Sequence, residues 1–294
     1  MESPQPMDTH NLRAFALVAE TRSFSLAAKK LHLTQPAVSK RVALLEQYLN
    51  TELFDRIGRS VSLTEAGRAL LPYAKSVQHE LRAAEQSVRD LSGEVAGRLR
   101  LATSHHIGLH RLPPVLSKFS KQCAAVELDI EFMDSEQAYQ LIVQGKIELA
   151  VVTLAPTEEP AIITRTIWDD PLDFLVAPDH RLASARNITL QQLSQCPAIL
   201  PGLNTYTGQI VKRLFDEHAL SLQVSMATNY LETIRMMTSV GLGWTVLPRS
   251  MKDASLIALA VEDIAIERTL GLVYHRDRSL SRAARVFIEV LTAR

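Results

Sequence analysis

The chain has 294 residues, which is too long for one small domain and suits two or three. Its 32 basic and 32 acidic residues cancel, and 47% of its residues are hydrophobic, enough to build substantial cores. No apolar run approaches the roughly 20 residues of a membrane span, so the composition excludes a membrane-spanning protein.

The N-terminal residues, Met1 to Pro6, lack the basic and apolar pattern of a secretory signal, and we expect them to form a short tail. The two cysteines, Cys123 and Cys196, fit a reducing compartment better than an oxidising one. Peroxide-sensing proteins use a redox-active cysteine pair, but the neighbours of these two favour simple packing. The sequence therefore predicts a cytoplasmic protein.

Residues 23–42 predict two short helices joined by a tight turn. Small Ala27 and Ala28 let the first helix approach a neighbour closely, and Thr34 is a good N-cap for the second. A proline in a first helical turn, as at Pro36, is tolerated because its missing N–H would be unpaired there. Helical spacing separates an apolar from a polar face. The predicted buried stripe is Val38, Val42, Leu45 and Leu49, and the predicted exposed face is Pro36, Lys40, Ala43 and Gln47.

A helix face that is short and polar near its N-terminus suits a recognition helix in the DNA major groove. Helix pairs with a short turn are also common in proteins that do not bind DNA, so this pattern alone leaves both interpretations open. Residues 53–64 then predict a small hairpin with Gly58 at its turn, a wing that carries Arg56 and Arg59. Between residues 21 and 60 there are seven basic and three acidic residues. This local positive charge suits phosphate contacts and favours DNA binding.

Residues 11–67 resemble the winged helix-turn-helix of LysR-type transcriptional regulators, and the length and later layout extend the resemblance to essentially the whole chain. The matching residues are Leu12, Phe15, Val18, Ala19, Ser23, Phe24, Ala27, Ala28, Leu31, Gln35–Ser39, Leu45, Glu46, Leu53, Phe54, Arg56 and Leu63–Gly67. The resemblance implies a DNA-binding regulator, a homodimer or homotetramer that contacts RNA polymerase and responds to a small-molecule effector. The predicted DNA-binding residues are Ser25, Thr34, Gln35, Pro36, Ser39, Lys40, Arg41, Arg56 and Arg59.

A long helix follows the wing, with Thr64 as its N-cap and Glu65 near the positive end of its dipole. Apolar residues recur at alternating intervals of four and three, which is the repeat of a coiled-coil seam. Packing of this helix on its own domain is the alternative, but the narrow stripe favours a partner helix. The predicted dimer seam is Leu70, Ala74, Val77, Leu81, Ala84 and Val88. A dimer with two recognition helices would read a pseudo-palindromic operator.

From residue 98 the pattern alternates between strands and helices, which predicts parallel sheets covered by helices. The first predicted set is strands 99–103, 125–132 and 147–153 with helices 109–122 and 135–144. The second is strands 172–176, 198–200, 223–227 and 244–247 with helices near 190 and over 205–218 and 231–240. A strand over 270–274 and a helix from Ser281 return to the first set. The segment Trp168–Asp170 is expected to cross between the sets, with solvated carboxylates.

Two α/β lobes connected twice resemble the periplasmic-binding-protein-like effector domain of the LysR family. The full prediction is an α/β protein with a winged helix-turn-helix over 7–64, a coiled-coil linker helix over 65–92 and a two-lobed effector-binding domain over 93–294. Lobe I comprises 98–168 and 268–294, and lobe II comprises 169–267.

Ligands of open α/β sheets lie beyond the carboxyl ends of the strands, so the cleft between the lobes is the expected ligand site. Hydroxyl groups and free helical N–H groups there form an anion site, although each such residue is equally explained as an N-cap. The predicted effector-binding residues are Thr103, Ser104, His105, Thr153, Asn204, Thr205 and Asn229. Because no arginine belongs to this set, we expect an affinity on the order of micromolar to millimolar.

Other sequence patterns give weaker indications of a metal site or a catalytic site. His106 and His110 have the i, i+4 spacing of a metal-binding pair, but no Glu or Cys lies nearby at zinc spacing, so no metal and no cofactor are predicted. No nucleophile-elbow, P-loop or paired-carboxylate signature is present, so no catalytic residue is predicted. Two alternatives remain: an enzyme that uses the two-lobed cleft, and an architectural DNA-binding protein without an effector.

Overall fold

The computed structural model describes residues 7–57, 60–89, 95–185, 187–261 and 264–293. The chain forms two compact units, residues 1–92 with 144–146, and residues 93–143 with 147–294. None of the described helices is both long and apolar enough to cross a membrane.

The first unit is a winged helix-turn-helix followed by a long helix. Its elements are α1 (Thr9–Thr21), α2 (Phe24–Leu31), α3 (Gln35–Leu49), β1 (Phe54–Ile57), β2 (Ser60–Leu63) and α4 (Glu65–Arg89). Capping starts and stops the short helices. The side chains of Ser23 and Thr34 accept hydrogen bonds from the backbone N–H groups of Leu26 and Ala37. His32 ends α2 in the left-handed region at φ 54°, which makes the sharp turn into α3.

The two faces predicted for α3 are confirmed. Val38 and Val42 are fully buried and Leu45 is nearly so, while Leu49 packs at the edge of the same core. Pro36, Lys40, Ala43 and Gln47 are all exposed. The core that holds α3 is completed by Leu12, Phe15, Val18, Ala27, Ala28, Leu53, Phe54 and Ala74.

The second unit is a two-lobed α/β domain. In the order of the chain, its strands are β3 (Gly97–Thr103), β4 (Val126–Phe132), β5 (Leu149–Thr153), β6 (Ile162–Val176), β7 (Ala198–Leu200), β8 (Val224–Ala227), β9 (Thr245–Pro248), β10 (Ile257–Leu259) and β11 (Ile266–His275). Its helices are α5 (His105–His110), α6 (Pro113–Gln122), α7 (Ser135–Val143), α8 (Leu190–Ser194), α9 (Tyr206–Glu217), α10 (Leu231–Ser239) and α11 (Arg282–Thr292).

We use lobe I for β3–β5 with α5–α7 and α11, and lobe II for β7–β10 with α8–α10. Strands β6 and β11 pair antiparallel along their length and run through both lobes. The main sheet has the order β10-β6-β11-β5-β3-β4, with β9 also on β6, and β7 pairs parallel with β8. Each lobe has its own core, with Phe119 and Phe287 in lobe I and Phe215 and Trp244 in lobe II.

Several predicted details are wrong. The main sheet is mixed, because β3 pairs parallel with β4 and β5, whereas β11 pairs antiparallel with both β5 and β6. The helix predicted over 109–122, with its start around Pro113 and Pro114, is α6, but the preceding helix α5 was not predicted. The strand predicted over 172–176 begins at Ile162, and its polar middle is stabilised by pairing with β11. A bulge at Leu270 and Gly271 bends β11, and a side chain at Gly271 would meet the carbonyl oxygen of Arg165 at 2.3 Å.

Cys123 and Cys196 are both buried free thiols, as their packing interpretation predicts. Burial raises the pKa of the Cys123 thiol, which keeps it protonated and poorly nucleophilic.

Candidate functional site: a recognition helix and an interlobe cavity

The N-terminal end of α3 presents a compact polar surface. Gln35 and Pro36 are exposed there, and the Gln35 Nε2 atom donates to Ser39 Oγ at 3.3 Å. Lys40 is exposed on the next turn, whereas Arg41 is half-buried. Among the other predicted DNA contacts, Ser25 is exposed on α2 and the Thr34 side chain is used as the cap of α3.

The wing is an antiparallel strand pair in which Asp55 pairs with Ser62 and Arg56 pairs with Val61. Arg56 lies within β1. The predicted turn residue Gly58 and the predicted contact Arg59 lie outside the described residues.

The residues of the predicted dimer seam are buried near the start of α4 and exposed further along the helix. Ala74 is fully buried in the core of the first unit, and Leu70 packs at its edge. Beyond Ala74 the seam residues of α4 are exposed: Val77 by 37%, Leu81 by 45% and Val88 by 69%. Within one chain, therefore, the second half of α4 presents an uncovered apolar stripe.

In the second unit, a cavity of about 50 Å³ lies between the lobes. It is lined by Ser104, His105, His106, Asp134, Ser135, Glu136 and Thr153 from lobe I, by Pro201, Thr205, Tyr206, Thr207, Asn229 and Leu231 from lobe II, and by Arg268 of β11. A cavity of this volume can admit a small ligand, since about 10–15 Å³ of such space is enough for one water molecule.

A buried ion pair forms one wall of the cavity. Arg268 Nε donates to Asp170 Oδ2 at 2.8 Å, and Arg268 Nη1 donates to Thr207 Oγ1 at 2.9 Å. Arg111 Nη2 donates to the other Asp170 oxygen at 3.1 Å. Arg268 Nη2 is buried and has no hydrogen-bond partner among the described residues. The expectation of solvated carboxylates at residues 169–170 is wrong for Asp170, which is 1% exposed.

Hydrogen bonds cross the cavity between the lobes. Asn229 Nδ2 donates to Asp134 Oδ2 at 2.6 Å, while its Oδ1 accepts from the backbone N–H of Gly202 at 3.0 Å. The backbone N–H of Tyr206, in the first turn of α9, donates to the Glu136 carboxylate. Burial raises the pKa of Glu136, and the Tyr206 N–H opposes that rise. A carboxylate of the chain itself thus occupies the N-terminus of α9.

Five of the seven predicted effector residues line the cavity: Ser104, His105, Thr153, Thr205 and Asn229. The Ser104 hydroxyl makes no hydrogen bond in the described part of the chain. The Thr205 hydroxyl is fully used, since it donates to Gly202 O at 2.7 Å and accepts from Gly208 N at 3.1 Å. His105 packs between the rings of Phe132 and Tyr230, with centroids 5.2 and 4.7 Å away.

The other two predicted residues are not part of the lining. Thr103 is fully buried, and its hydroxyl donates to the backbone oxygen of Val151 at 2.8 Å. Asn204 precedes the cap of α9, and its backbone oxygen accepts from the Gln209 side chain at 3.3 Å. Both residues flank the strand ends or helix starts that the sequence identified, and the Thr103 side chain serves local structure.

Sequence reasoning missed the charged members of the cavity, above all Arg268, which is absent from the set of predicted effector residues. Arg268 is the third residue of β11, so it neither follows a strand nor precedes a helix, which were the two signals used to select candidates. His106 was noted only for its spacing to His110. Burial and the positive charge of Arg268 lower the pKa of His106 to about 4, so its ring is neutral at physiological pH. His106, His110 and Glu232 are the described residues that could hold a metal ion.

Comparison with known proteins assigns both units. Residues 9–68 match the family described as bacterial regulatory helix-turn-helix protein, lysR family, and residues 92–294 match the LysR substrate binding domain. A RuBisCO operon transcriptional regulator of Allochromatium vinosum is 30% identical over 283 residues, which are 95% of this chain and 93% of the relative.

Solved structures support the same fold. A full-length OxyR variant from Pseudomonas aeruginosa matches with a TM-score of 0.72 and 23% identity, over 98% of this chain and 94% of that one. Full-length CbnR in complex with its target DNA matches with a TM-score of 0.66 and 19% identity, over 97% and 99% of the two chains. The two family matches and the relative that spans nearly the whole chain lead to one conclusion: this protein belongs to the LysR family of ligand-responsive, DNA-binding transcriptional regulators.

Proposed function

We propose that this regulator reads its operator with the N-terminal end of α3 and the wing, dimerises through α4, and is switched by a small anionic metabolite bound between the lobes. The single observation that carries the effector class is Arg268 Nη2, a buried cationic donor at the cavity with no partner among the described residues. A buried donor left unpaired destabilises a protein by about 1–3 kcal/mol, so an anion that accepts from it would be bound favourably.

The DNA contacts of the proposal follow from the position and the chemistry of these residues. Gln35 and Ser39 are within hydrogen-bond reach of each other and offer donors and acceptors to base edges, while Pro36 offers an apolar contact for a thymine methyl group. Lys40 and Arg56 are proposed to contact phosphate or the minor groove. These contacts position the domain on DNA without reading the base sequence.

We expect Gln35→Ala to lower affinity for the operator far more than affinity for random DNA. Loss of one good base contact removes about 1–3 kcal/mol of discrimination, whereas phosphate contacts are untouched. Arg56→Ala should instead lower both affinities and reduce their salt dependence. The measurement is a binding titration on operator and random duplexes at several salt concentrations. The matched control is Gln47→Ala, an exposed glutamine about three turns further along α3. Equal losses on both duplexes for Gln35→Ala would contradict its role in base readout.

The assembly part of the proposal rests on the uncovered apolar stripe of α4. A dimer formed there carries two recognition helices, and its operator would be pseudo-palindromic. Pairing of effector domains would extend the dimer to a tetramer. Contact with RNA polymerase, in the cytoplasm where the DNA target lies, completes the proposed regulatory role.

The anionic character of the effector is supported by the donors that remain available. Ser104 Oγ and Arg268 Nη2 have no partner among the described residues and can donate into the cavity, whereas the N–H of Tyr206 is occupied by Glu136. The cavity volume of about 50 Å³ suits a carboxylate or a tetrahedral oxyanion better than a bulky apolar group. Since the cavity walls come from both lobes, such an anion would favour one arrangement of the lobes and could shift their equilibrium.

We expect Ser104→Ala to weaken the response to the effector while leaving effector-free operator binding unchanged. Its hydroxyl supports no other part of the described structure, and loss of a hydrogen bond to a charged group costs about 1.5–3 kcal/mol, or roughly 10- to 100-fold in Kd. The probes are sulfate, phosphate and small mono- and dicarboxylates, screened by thermal shift on the full chain. The best probe is then titrated in an operator-binding assay, with Ser239→Ala, a half-buried serine outside the cavity lining, as the control. An unchanged response of Ser104→Ala would contradict the role of Ser104 in binding the anion.

A further inference from the structure

Three metal-ligating side chains from the two lobes converge beside the cavity. His106 and His110 lie one turn apart on α5 of lobe I, and Glu232 lies in the first turn of α10 of lobe II. One ligand atom from each lies within 4.8 Å of the others, and in the described ranges no other group of three His, Cys, Asp or Glu side chains does so. His110 Nε2 is 2.7 Å from Glu232 Oε1.

The ring of His106 makes no hydrogen bond to the described part of the chain. It is 5% exposed, and neither of its ring nitrogens has a partner there. Its ring centroid is 4.9 Å from that of His110. Buried polar groups nearly always have a hydrogen-bond partner or another ligand. A buried imidazole without a hydrogen bond, beside a second imidazole and a carboxylate, therefore points to a bound partner from outside the protein.

The donor set selects the class of ion. Two imidazoles at i, i+4 on one helix with a carboxylate from elsewhere form a His₂Glu set, which binds Zn²⁺ and leaves its fourth position open. Arg268 and Arg111 place positive charge near His106, and Asp170 offsets only part of it. The electrostatic attraction of this site for a cation is therefore weak. Hard cations such as Mg²⁺, which rely on charged oxygen ligands, are disfavoured relative to cations that bond strongly to imidazole.

We propose that His106, His110 and Glu232 bind one Zn²⁺, or another divalent transition-metal ion that prefers imidazole, and that this ion ties lobe I to lobe II. Because its ligands come from both lobes, the ion binds the arrangement in which α5 and α10 are adjacent and stabilises it. The proposed metal ligands differ from Ser104 and Arg268, the residues proposed for the anionic effector, although His106 also lines that cavity.

The test is Zn²⁺ binding to the full chain after the metal is stripped by dialysis against a chelator. Competition with a chromophoric chelator measures stoichiometry and affinity. We expect one Zn²⁺ per chain in the parent protein and no competition from Mg²⁺. His110→Ala and Glu232→Gln should weaken binding by at least about 100-fold, because loss of even an outer partner of a metal ligand weakens binding by about 10- to 100-fold. Both side chains are over 40% exposed, so the variants should fold.

The matched controls are His218→Ala and Glu217→Gln, an exposed histidine and an exposed glutamate at the end of α9. They should bind Zn²⁺ as the parent does. Co²⁺ provides a second measurement, since coordination by this set gives visible absorption that His110→Ala should abolish. Thiolate-to-Co²⁺ charge transfer would assign the ion to cysteine and overturn the proposal. Failure of the parent to bind Zn²⁺, or equal binding by His110→Ala and His218→Ala, would also overturn it and reduce the cluster to an interlobe hydrogen bond.

Discussion

Replacement of Asp170 by alanine is expected to destabilise the effector-binding unit by about 3–5 kcal/mol, because it leaves a buried guanidinium without its counter-charge. Asp170 is 1% exposed and accepts from both Arg268 and Arg111. The Arg268 side chain is 6% exposed, so water cannot replace the lost carboxylate. The pair also joins β6 to β11 where these strands pass between the lobes.

Equilibrium unfolding by urea measures this loss. The matched control is Asp173→Ala, which removes an aspartate of the same strand whose partner, Arg249, is exposed. Its stability should change far less, since exposed ion pairs are screened by water. The double variant Asp170→Ala with Arg268→Met should recover part of the loss, because it removes the unpaired charge. Equal destabilisation by Asp170→Ala and Asp173→Ala would show that burial of the ion pair does not increase its contribution to the free energy of unfolding.

Replacement of Leu81 by aspartate is expected to weaken the dimer by on the order of 3 kcal/mol, or about 100-fold in Kd. Leu81 lies mid-way along the exposed apolar stripe of α4, where the proposed partner helix would cover it. Two symmetry-related carboxylates would then face each other without water. Since both recognition helices of the dimer contribute to operator affinity, operator binding should fall as well.

Sedimentation at several protein concentrations measures the dimer, and titration with operator DNA measures the consequence. Ser76→Asp, an exposed position off the stripe on the same helix, is the control for helix propensity and charge. Circular dichroism checks that both variants keep their helices. A Leu81→Asp protein that sediments like Ser76→Asp would exclude α4 as the dimer seam.

The winged helix-turn-helix was predictable because its determinants are local. Thr34 as a cap and the spacing of Val38 and Val42 are properties of short stretches, and the structure confirms them. The same holds for α9 and α11, since the side chains of their N-caps, Thr205 and Ser281, each accept from the backbone N–H three residues ahead. The DNA contacts assigned to α3, and the dimer seam assigned to α4, stay predictions.

The cavity was predictable only in part. Ser104, Thr153 and Thr205 were found because they follow strands or precede helices, and such ends gather at one edge of a sheet. Asp170 and Arg268 were missed because they lie 98 residues apart within strands and are brought together only by the pairing of β6 with β11. Glu232 reaches His110 across 122 residues and two lobes, so no local spacing could relate them.

By itself, the amino-acid sequence determined the family, the order of the units, and most helices and strands, because capping, periodicity and turn chemistry act over a few residues. Only the tertiary structure decided which side chains meet between the lobes and which hydroxyls remain available there. Thr103 and Ser104 are neighbours in sequence, yet one hydroxyl is used within the core and the other is available to a ligand. That difference depends on the long-range packing of β3 against β5, which no local pattern encodes.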